Sequence, residues 1–141
     1  MFAVRLYEIM KEKDISKEDL AQGLGLKNAS MVYRWLKSIH IPTLTSANKI
    51  ANFFNCSLDY LAGRTEDFKP SRVQELKPFG QNLRNAIEKS KVSQNKIIKA
   101  LNISTHSIVS WLNDKTIPNF SSVIKLAEYF NMSIDDLVGR E

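Results

Sequence analysis

The sequence predicts an all-α protein made of two copies of one small five-helix unit. Three observations lead to this fold class. No stretch of useful length alternates between apolar and polar residues, as a half-buried strand would, and apolar residues recur instead at helical spacing. The first half of the chain also reappears in the second half, which is the signature of a repeat.

The repeat is visible when the sequence is compared with itself at an offset of 77 residues, which aligns Phe2 with Phe79 and Leu24 with Leu101. One extra residue near position 28 of the first copy then changes the offset to 76. At that offset the following pairs coincide: Trp35 and Trp111, Pro42 and Pro118, Phe54 and Phe130, Gly63 and Gly139, Arg64 and Arg140. Chance rarely aligns so many uncommon residues in one register, so the chain is a duplication.

The first two helices of each copy are predicted from the spacing of their apolar residues and from the N-cap residue of the second helix. Phe2, Leu6 and Met10 lie on one face of helix 1. Helix 2 starts after Ser16, a good N-cap, whose spacing to Asp19 resembles a capping box. The matching residues in the second copy are Phe79, Leu83, Ile87 and Ser93. Each copy therefore opens with two short helices.

The remaining three helices are placed by their apolar residues, by proline and by glycine. Helix 3 carries Trp35 on its apolar stripe, and helix 4 begins after Pro42 with Thr43 as its cap. The last helix starts at Ser57 and ends at Gly63, a residue suited to a left-handed C′ position. Their counterparts in the second copy are Trp111, Pro118, Asn119, Ser133 and Gly139.

The repeat predicts the domain boundaries. Residues 1–66 and 79–141 form the two domains, and 67–78, with two prolines and five charged residues, is the linker. The net charge of +5 is spread evenly, with +2 in residues 1–66, +1 in 67–78 and +2 in 79–141. Because no basic tail exists, any contact with nucleic acid must come from a folded surface.

Composition excludes several function classes. One cysteine and two histidines provide neither an internal disulfide nor a metal-ligand cluster, so we expect no metal and no cofactor. No acid–base pair, nucleophile triad or phosphate loop stands out, so no catalytic residue and no enzyme activity is predicted. No stretch can span a bilayer, and early charges rule out a signal peptide. We therefore expect a cytoplasmic protein without a membrane partner.

The order of these signals resembles a known family. Helix 2 opens with Ser-x-x-x-Leu-Ala from Ser16 to Ala21, a short turn and a helix ending on Trp35 follow, and Pro42 comes seven residues later. This pattern is similar to the lambda-repressor and Cro-like helix-turn-helix family (XRE type), and it occurs twice in one register. The resemblance implies two tandem lambda-repressor-like DNA-binding domains.

The resemblance also implies which residues contact DNA bases, because helix 3 of such a unit lies in the major groove. Counted back from the two tryptophans, the base-contacting residues are Ala29, Ser30, Arg34, Thr105, His106 and Ser110. The guanidinium of Arg34 can donate two parallel hydrogen bonds to guanine. The hydroxyl groups of Ser30, Thr105 and Ser110 can donate or accept, so they distinguish bases less well. His106 can bind a base or a phosphate, depending on its protonation.

Phosphate contacts are expected at the start of helix 2, where free N–H groups attract anions, and in the loop after helix 3. The residues at these positions are Lys17, Lys37, Ser38, His40, Thr43, Gln94, Asn113, Lys115 and Asn119. They would position the protein without reading sequence.

Two features depart from the family pattern. The acid that often follows the tryptophan is Leu36 or Leu112 here, and its basic partner on helix 1 is also apolar in both copies. Removing both partners of a buried ion pair keeps the fold credible. The usual Asn-Gly after helix 3 is absent, and Asp114 in its place is expected near the phosphates.

Two functions remain open. The first is a sequence-specific regulator of transcription, acting as a repressor, whose two units bind adjacent half-sites on double-stranded DNA as an intramolecular pseudo-dimer or a homodimer. The 15 residue steps from Arg64 to Phe79 extend to roughly 50 Å, enough for half-sites about 34–36 Å apart. The alternative is a protein-binding module, such as an antitoxin or adaptor, in which one unit mediates dimerisation or holds a protein partner.

Overall fold

The computed structural model describes residues 1–73 and 75–140, and within these ranges it contains helices and no strand. The all-α fold class is thereby confirmed. The chain divides into two compact units, Met1–Gln74 and Glu75–Glu141. We call them the first and the second unit and describe each by itself.

Within the described residues each unit contains five helices, as the repeat predicts. The helices of the first unit are α1 Phe2–Glu12, α2 Lys17–Gly23, α3 Ser30–Leu36, α4 Leu44–Phe54 and α5 Leu58–Leu61. The helices of the second unit are α6 Phe79–Ser90, α7 Gln94–Leu101, α8 Thr105–Leu112, α9 Phe120–Phe130 and α10 Ile134–Val138.

The helices begin at the predicted caps. The hydroxyl of Ser16 accepts a hydrogen bond from the backbone N–H of Asp19 at 3.0 Å, and the Asp19 carboxylate accepts one from the Ser16 N–H at 3.2 Å. This reciprocal pair satisfies two amide groups that a helix start leaves without partners. The hydroxyl of Ser93 caps α7 by accepting from the Lys96 N–H at 3.2 Å. The predicted capping box is therefore confirmed.

The predicted apolar faces form one core in each unit. In the first unit Leu6, Leu20 and Ile50 are fully buried, and Trp35 of α3 is 3% exposed. In the second unit the corresponding positions include Leu83, Ile97 and Leu126, and Trp111 is 7% exposed. The two tryptophans are thus core residues that hold α3 and α8 against the rest of each unit.

The last turn of each unit repeats an ion pair and a left-handed glycine. Arg64 binds Asp59 at 2.8 Å, and Arg140 lies 3.6 Å from Asp135. Gly139, with φ +74°, ends α10 in a conformation that a side chain would strain. The Gly-Arg ending is therefore part of the structural repeat.

Part of the segment predicted as a linker is attached to the first unit. The amide of Asn52 accepts a hydrogen bond from the N–H of Val73 at 2.9 Å and donates to the Val73 carbonyl at 2.7 Å. The side-chain amide of Asn48 donates to the same carbonyl at 3.1 Å. The side-chain amides of two asparagines on α4 therefore hydrogen-bond both the N–H and the carbonyl of Val73, as the backbone of a neighbouring β-strand would.

A buried arginine attaches the beginning of the same segment. Arg5 on α1 is buried, and its guanidinium donates to the Glu66 carboxylate at 2.8 Å and to the Thr65 carbonyl at 3.2 Å. Burial by itself would lower the pKa of Arg5, but the hydrogen bond and the negative charge of Glu66 outweigh it and raise the pKa above its ordinary value. Arg5 therefore stays charged while it holds this segment.

Candidate nucleic-acid interface

In the second unit a compact turn joins the two helices of the helix-turn-helix. Only residues 102–104 separate α7 from α8. Asn102 has a left-handed backbone with φ +53°, and the hydroxyl of Ser104 caps α8 by accepting from the Ser107 N–H at 3.0 Å. Thr105 and His106 form the exposed first turn of α8. Their side chains are therefore free to face a ligand, as a recognition helix requires.

In the first unit the extra residue lengthens the turn and shortens the helix. Residues 24–29 separate α2 from α3, and Gly25 adopts φ +76° within this turn. The side chain of Asn28 accepts from the Ser30 N–H at 2.9 Å, and Ala29 is a half-buried N-cap without a side-chain cap bond. The inserted residue is thus absorbed before Ser30, so Ala29 lies one position outside the helix while its counterpart Thr105 lies inside.

Arg34 is exposed on α3 and contacts the following loop. Its Nη1 atom lies 3.2 Å from Nε2 of His40. Because a guanidinium can only donate, the imidazole must accept, which requires neutral His40 with its proton on Nδ1. The backbone N–H groups of Ile39 and His40 also donate to the Arg34 carbonyl, at 2.9 and 3.3 Å. The loop therefore holds both ends of the arginine.

Ser110, at the position of Arg34 in the second unit, is buried. It is 6% exposed, and its hydroxyl lies 2.8 Å from the hydroxyl of Thr116, the counterpart of His40. The sequence led us to expect Ser110 on the DNA-facing side of the helix. In the structure this short side chain bonds to the loop instead, so its hydroxyl is buried and not exposed on that side.

Two candidate phosphate contacts meet around one tyrosine. Lys17, the first residue of α2, and Lys37, which ends α3, place their ammonium groups 5.7 and 5.9 Å from the centre of the Tyr33 ring. Cations are attracted to the face of an aromatic ring at this range. Ser38 follows with φ +58°, outside the helix. Tyr33 was not selected from the sequence as a candidate site residue. Its position on α3, between Lys17 and Lys37 in the sequence, was a usable signal.

The other candidate phosphate contacts fall into two groups. Gln94 at the start of α7, with Asn113 and Lys115 after α8, is exposed. Thr43 and Asn119 use their side chains as caps, accepting from the N–H groups of the residues three positions on, at 3.1 and 2.8 Å. Their side-chain oxygens are therefore already engaged, and any phosphate contact there would compete with a cap.

Asp114 has a structural role that the sequence did not indicate. Its carboxylate accepts from the N–H of Gly80 at the start of α6, at 2.8 Å. Arg84 on the same helix donates to the carbonyl of Leu112 at 3.0 Å. A carboxylate at a helix start satisfies an unbonded amide and is favoured by the helix dipole. This explains why an acid follows α8 in a unit expected to approach phosphates.

Residues 1–73 and 75–140 contain no group of three His, Cys, Asp or Glu side chains that could hold a metal ion. Within the same ranges no helix is both long and apolar enough to cross a membrane.

The two units together define a tandem helix-turn-helix protein. Residues 6–61 match a helix-turn-helix family model, and residues 80–140 match a second model described as a helix-turn-helix domain. The chain therefore belongs to the XRE-type helix-turn-helix family, in two tandem copies, as the resemblance predicted. Families of this kind are DNA-binding regulators, not enzymes. No curated protein and no solved structure matches the chain significantly.

Proposed function

We propose that this DNA-binding protein is a sequence-specific repressor that reads two adjacent half-sites with α3 and α8. The observation that carries the proposal is the exposed Arg34 on α3, in the position where a recognition helix meets base edges. An arginine there can form two parallel hydrogen bonds to O6 and N7 of guanine, the commonest specific contact in the major groove. The bond to His40 orients this side chain before DNA binds.

We assign the base contacts to those candidate residues of α3 and α8 that are not buried. In the first unit it consists of Arg34 and Ser30, with Ala29 limited to an apolar contact such as a thymine methyl. In the second unit it consists of Thr105 and His106 in the first turn of α8. Ser110 is left out because its hydroxyl is buried against Thr116.

Phosphate contacts would hold each helix in the groove without reading sequence. Lys17 and Lys37 provide the positive charge in the first unit, and Ser38 adds a hydroxyl donor. In the second unit Lys115 is the cation, and it is supported by the amides of Gln94 and Asn113. Thr43, Asn119 and His40 have a smaller part, since their side chains already bind other groups.

The division into domains 1–66 and 79–141 with linker 67–78 stays part of this proposal. The attachment of Val73 to α4 leaves six residue steps to Phe79, which extend to roughly 20 Å at most and so limit how far apart the two units can bind. A short tether favours two half-sites in a fixed arrangement, as an intramolecular pseudo-dimer needs. Pairing of two chains as a homodimer would place four units on a longer site.

A second candidate function applies to the second unit alone. Residues 104–113, which include α8, carry no lysine or arginine, and their hydroxyls at Ser104, Ser107 and Ser110 bond within the unit. Such a surface suits a protein partner or dimerisation, as in an antitoxin or adaptor. In either function we place the protein in the cytoplasm, where its DNA or its partner is found.

Selection from a random pool of duplex DNA tests the proposal. The wild type, Arg34→Ala and a Thr105→Ala/His106→Ala double variant are each selected at moderate salt, because salt exposes phosphate-only binding. We expect the wild type to enrich two half-site motifs, the first variant to lose one and the double variant to lose the other. A wild type that enriches no motif contradicts sequence-specific binding. Loss confined to Arg34→Ala favours the protein-binding role for the second unit.

A further inference from the structure

The first unit has an open groove between α1 and α3, and the apolar walls of this groove have no part in the proposed function. Its volume is about 680 Å³, and its walls are Ala3, Val4, Leu36 and the rings of Tyr7 and Tyr33. Val4, Tyr7 and Tyr33 are more than two-fifths exposed, so these apolar surfaces face solvent. This volume falls within the range of small-molecule sites, which commonly measure roughly 300–1,000 Å³, and the groove is open to solvent.

The edges of this α1–α3 groove are positively charged. Lys17 and Lys37 line it, with their ammonium groups 5.7 and 5.9 Å from the centre of the Tyr33 ring. Lys11 lies 6.0 Å from the centre of the Tyr7 ring. None of the described residues that line the groove is an acid. The electrostatic complement of the groove is therefore an anion with an apolar body.

The second unit shows that the fold does not require such a groove. There Gly80 stands where the first unit has Ala3, and a Cβ on Gly80 would collide with the carbonyl of Leu112. Arg84 and Asp114 bridge the same two helices, by hydrogen bonds to Leu112 and Gly80. The positions of Lys17, Tyr33 and Lys37 are occupied in the second unit by Gln94, Val109 and Asn113. The two copies have thus diverged in the residues that leave the groove open and in those that give it a positive charge.

We propose that the α1–α3 groove binds a small aromatic carboxylate. The ring lies against Tyr7 and Tyr33, since aromatic pairs gain free energy beyond the area they bury. The carboxylate is held by the ammonium groups of Lys17 and Lys37. This inference rests on the proposed function in one respect: the same two lysines contact DNA phosphates, so the bound carboxylate competes with DNA and releases the first unit from its half-site.

Binding is tested first without DNA, by calorimetric titration of the full chain with 1-naphthoate and with its neutral analogue 1-naphthamide. We expect naphthoate to bind at least tenfold more tightly than the amide. The Lys17→Gln/Lys37→Gln double variant should remove this preference, and Lys125→Gln, an exposed lysine on α9, should keep it. Equal binding of the two compounds, or an unchanged preference in the double variant, overturns the proposal.

A second variant closes the groove with the residues of the second unit. Ala3→Gly/Tyr7→Arg/Ser38→Asp introduces the closing hydrogen bonds and keeps both lysines. We expect it to fold, as judged by circular dichroism, and to weaken naphthoate binding at least tenfold. Unchanged binding by the folded variant contradicts the location. If an acidic heptapeptide binds tightly and naphthoate does not bind, the proposed ligand is wrong and the groove binds a protein segment instead.

The competition with DNA is measured on a duplex selected by the wild type. Saturating naphthoate should raise the Kd for this duplex at least fivefold, and naphthamide should not. Naphthoate that binds without changing the DNA affinity contradicts the regulatory part of the proposal. A chain that binds no duplex contradicts the proposed function, whereas the titration without DNA still decides whether the groove is a site.

Discussion

The guanidinium of Arg34 lies 3.2 Å from the imidazole of His40, and the hydroxyls of Ser110 and Thr116 at the same positions of the second unit lie 2.8 Å apart. In both units one side-chain pair thus ties the recognition helix to the loop that follows it. The first unit uses an exposed cation for this purpose, whereas the second uses a buried hydroxyl. A single pair of positions therefore explains why the two units would read DNA by different means.

Replacing Arg34 should change sequence preference more than total binding. A bidentate contact to guanine contributes ~1–3 kcal/mol of discrimination, so Arg34→Ala should lose roughly fivefold to 150-fold preference at one base pair. Competition between the selected duplex and single-base variants of it measures this loss. Arg34→Lys is the matched control, because it keeps the charge and lacks the fork. Full wild-type preference in the lysine variant would exclude a bidentate contact.

His40 should act through Arg34. The His40→Ala variant removes the acceptor that orients the guanidinium, so we expect weaker base preference at the Arg34 position with an unchanged dependence of affinity on salt. A His40 side chain that instead bound phosphate would give the opposite result: an altered salt dependence with base preference intact. Thr116→Ala provides the matched change in the second unit. The two variants are compared by binding titrations at several salt concentrations.

The carboxylate of Asp114 should stabilise the second unit. Asp114→Ala removes the acceptor for the Gly80 N–H at the start of α6, a change that costs about 0.5–2 kcal/mol at helix caps. Asp114→Asn keeps an acceptor and loses the charge, so a smaller loss is expected. Chemical denaturation measures both variants, with Ser38→Ala as the matched change in the first unit. A variant as stable as the wild type would mean that this contact is not made in solution.

The amide of Asn52 should hold the backbone of Val73 against α4. Asn52→Ala deletes one hydrogen bond to the N–H and one to the carbonyl of Val73, leaving only the bond from Asn48. Exchange of the Val73 amide hydrogen should therefore accelerate at least tenfold, since this amide loses its acceptor. The control is Glu128→Ala, at the corresponding position of α9, which should leave the Val73 rate unchanged. Equal rates in Asn52→Ala and the wild type would contradict the attachment.

The parts of the fold that depend on local chemistry could be predicted from the sequence. Ser16 and Thr43 were identified as caps because a capping side chain acts within three residues of itself. Trp35 was placed in the core because its neighbours recur at helical spacing. The duplication strengthened each assignment, since two sequences had to agree.

Contacts between distant residues could not be predicted in the same way. Arg5 and Glu66 are 61 positions apart, and no residue near either of them in the sequence indicates that they form an ion pair. Ser110 was expected on the exposed face because it aligns with Arg34, yet a hydroxyl is short enough to turn toward Thr116 and be buried. The role of each candidate site residue toward DNA stays a prediction, since the fold fixes exposure and not the partner.

A hydroxyl-radical footprint on the selected duplex tests most directly whether both units bind DNA at once. We expect two protected segments for the wild type, and only one for Arg34→Ala/Lys17→Gln/Lys37→Gln at a salt concentration where the wild type still protects both. The segment that remains should disappear with Thr105→Ala/His106→Ala. A wild-type footprint covering a single segment, unaffected by changes in α8, would mean that the second unit does not bind DNA.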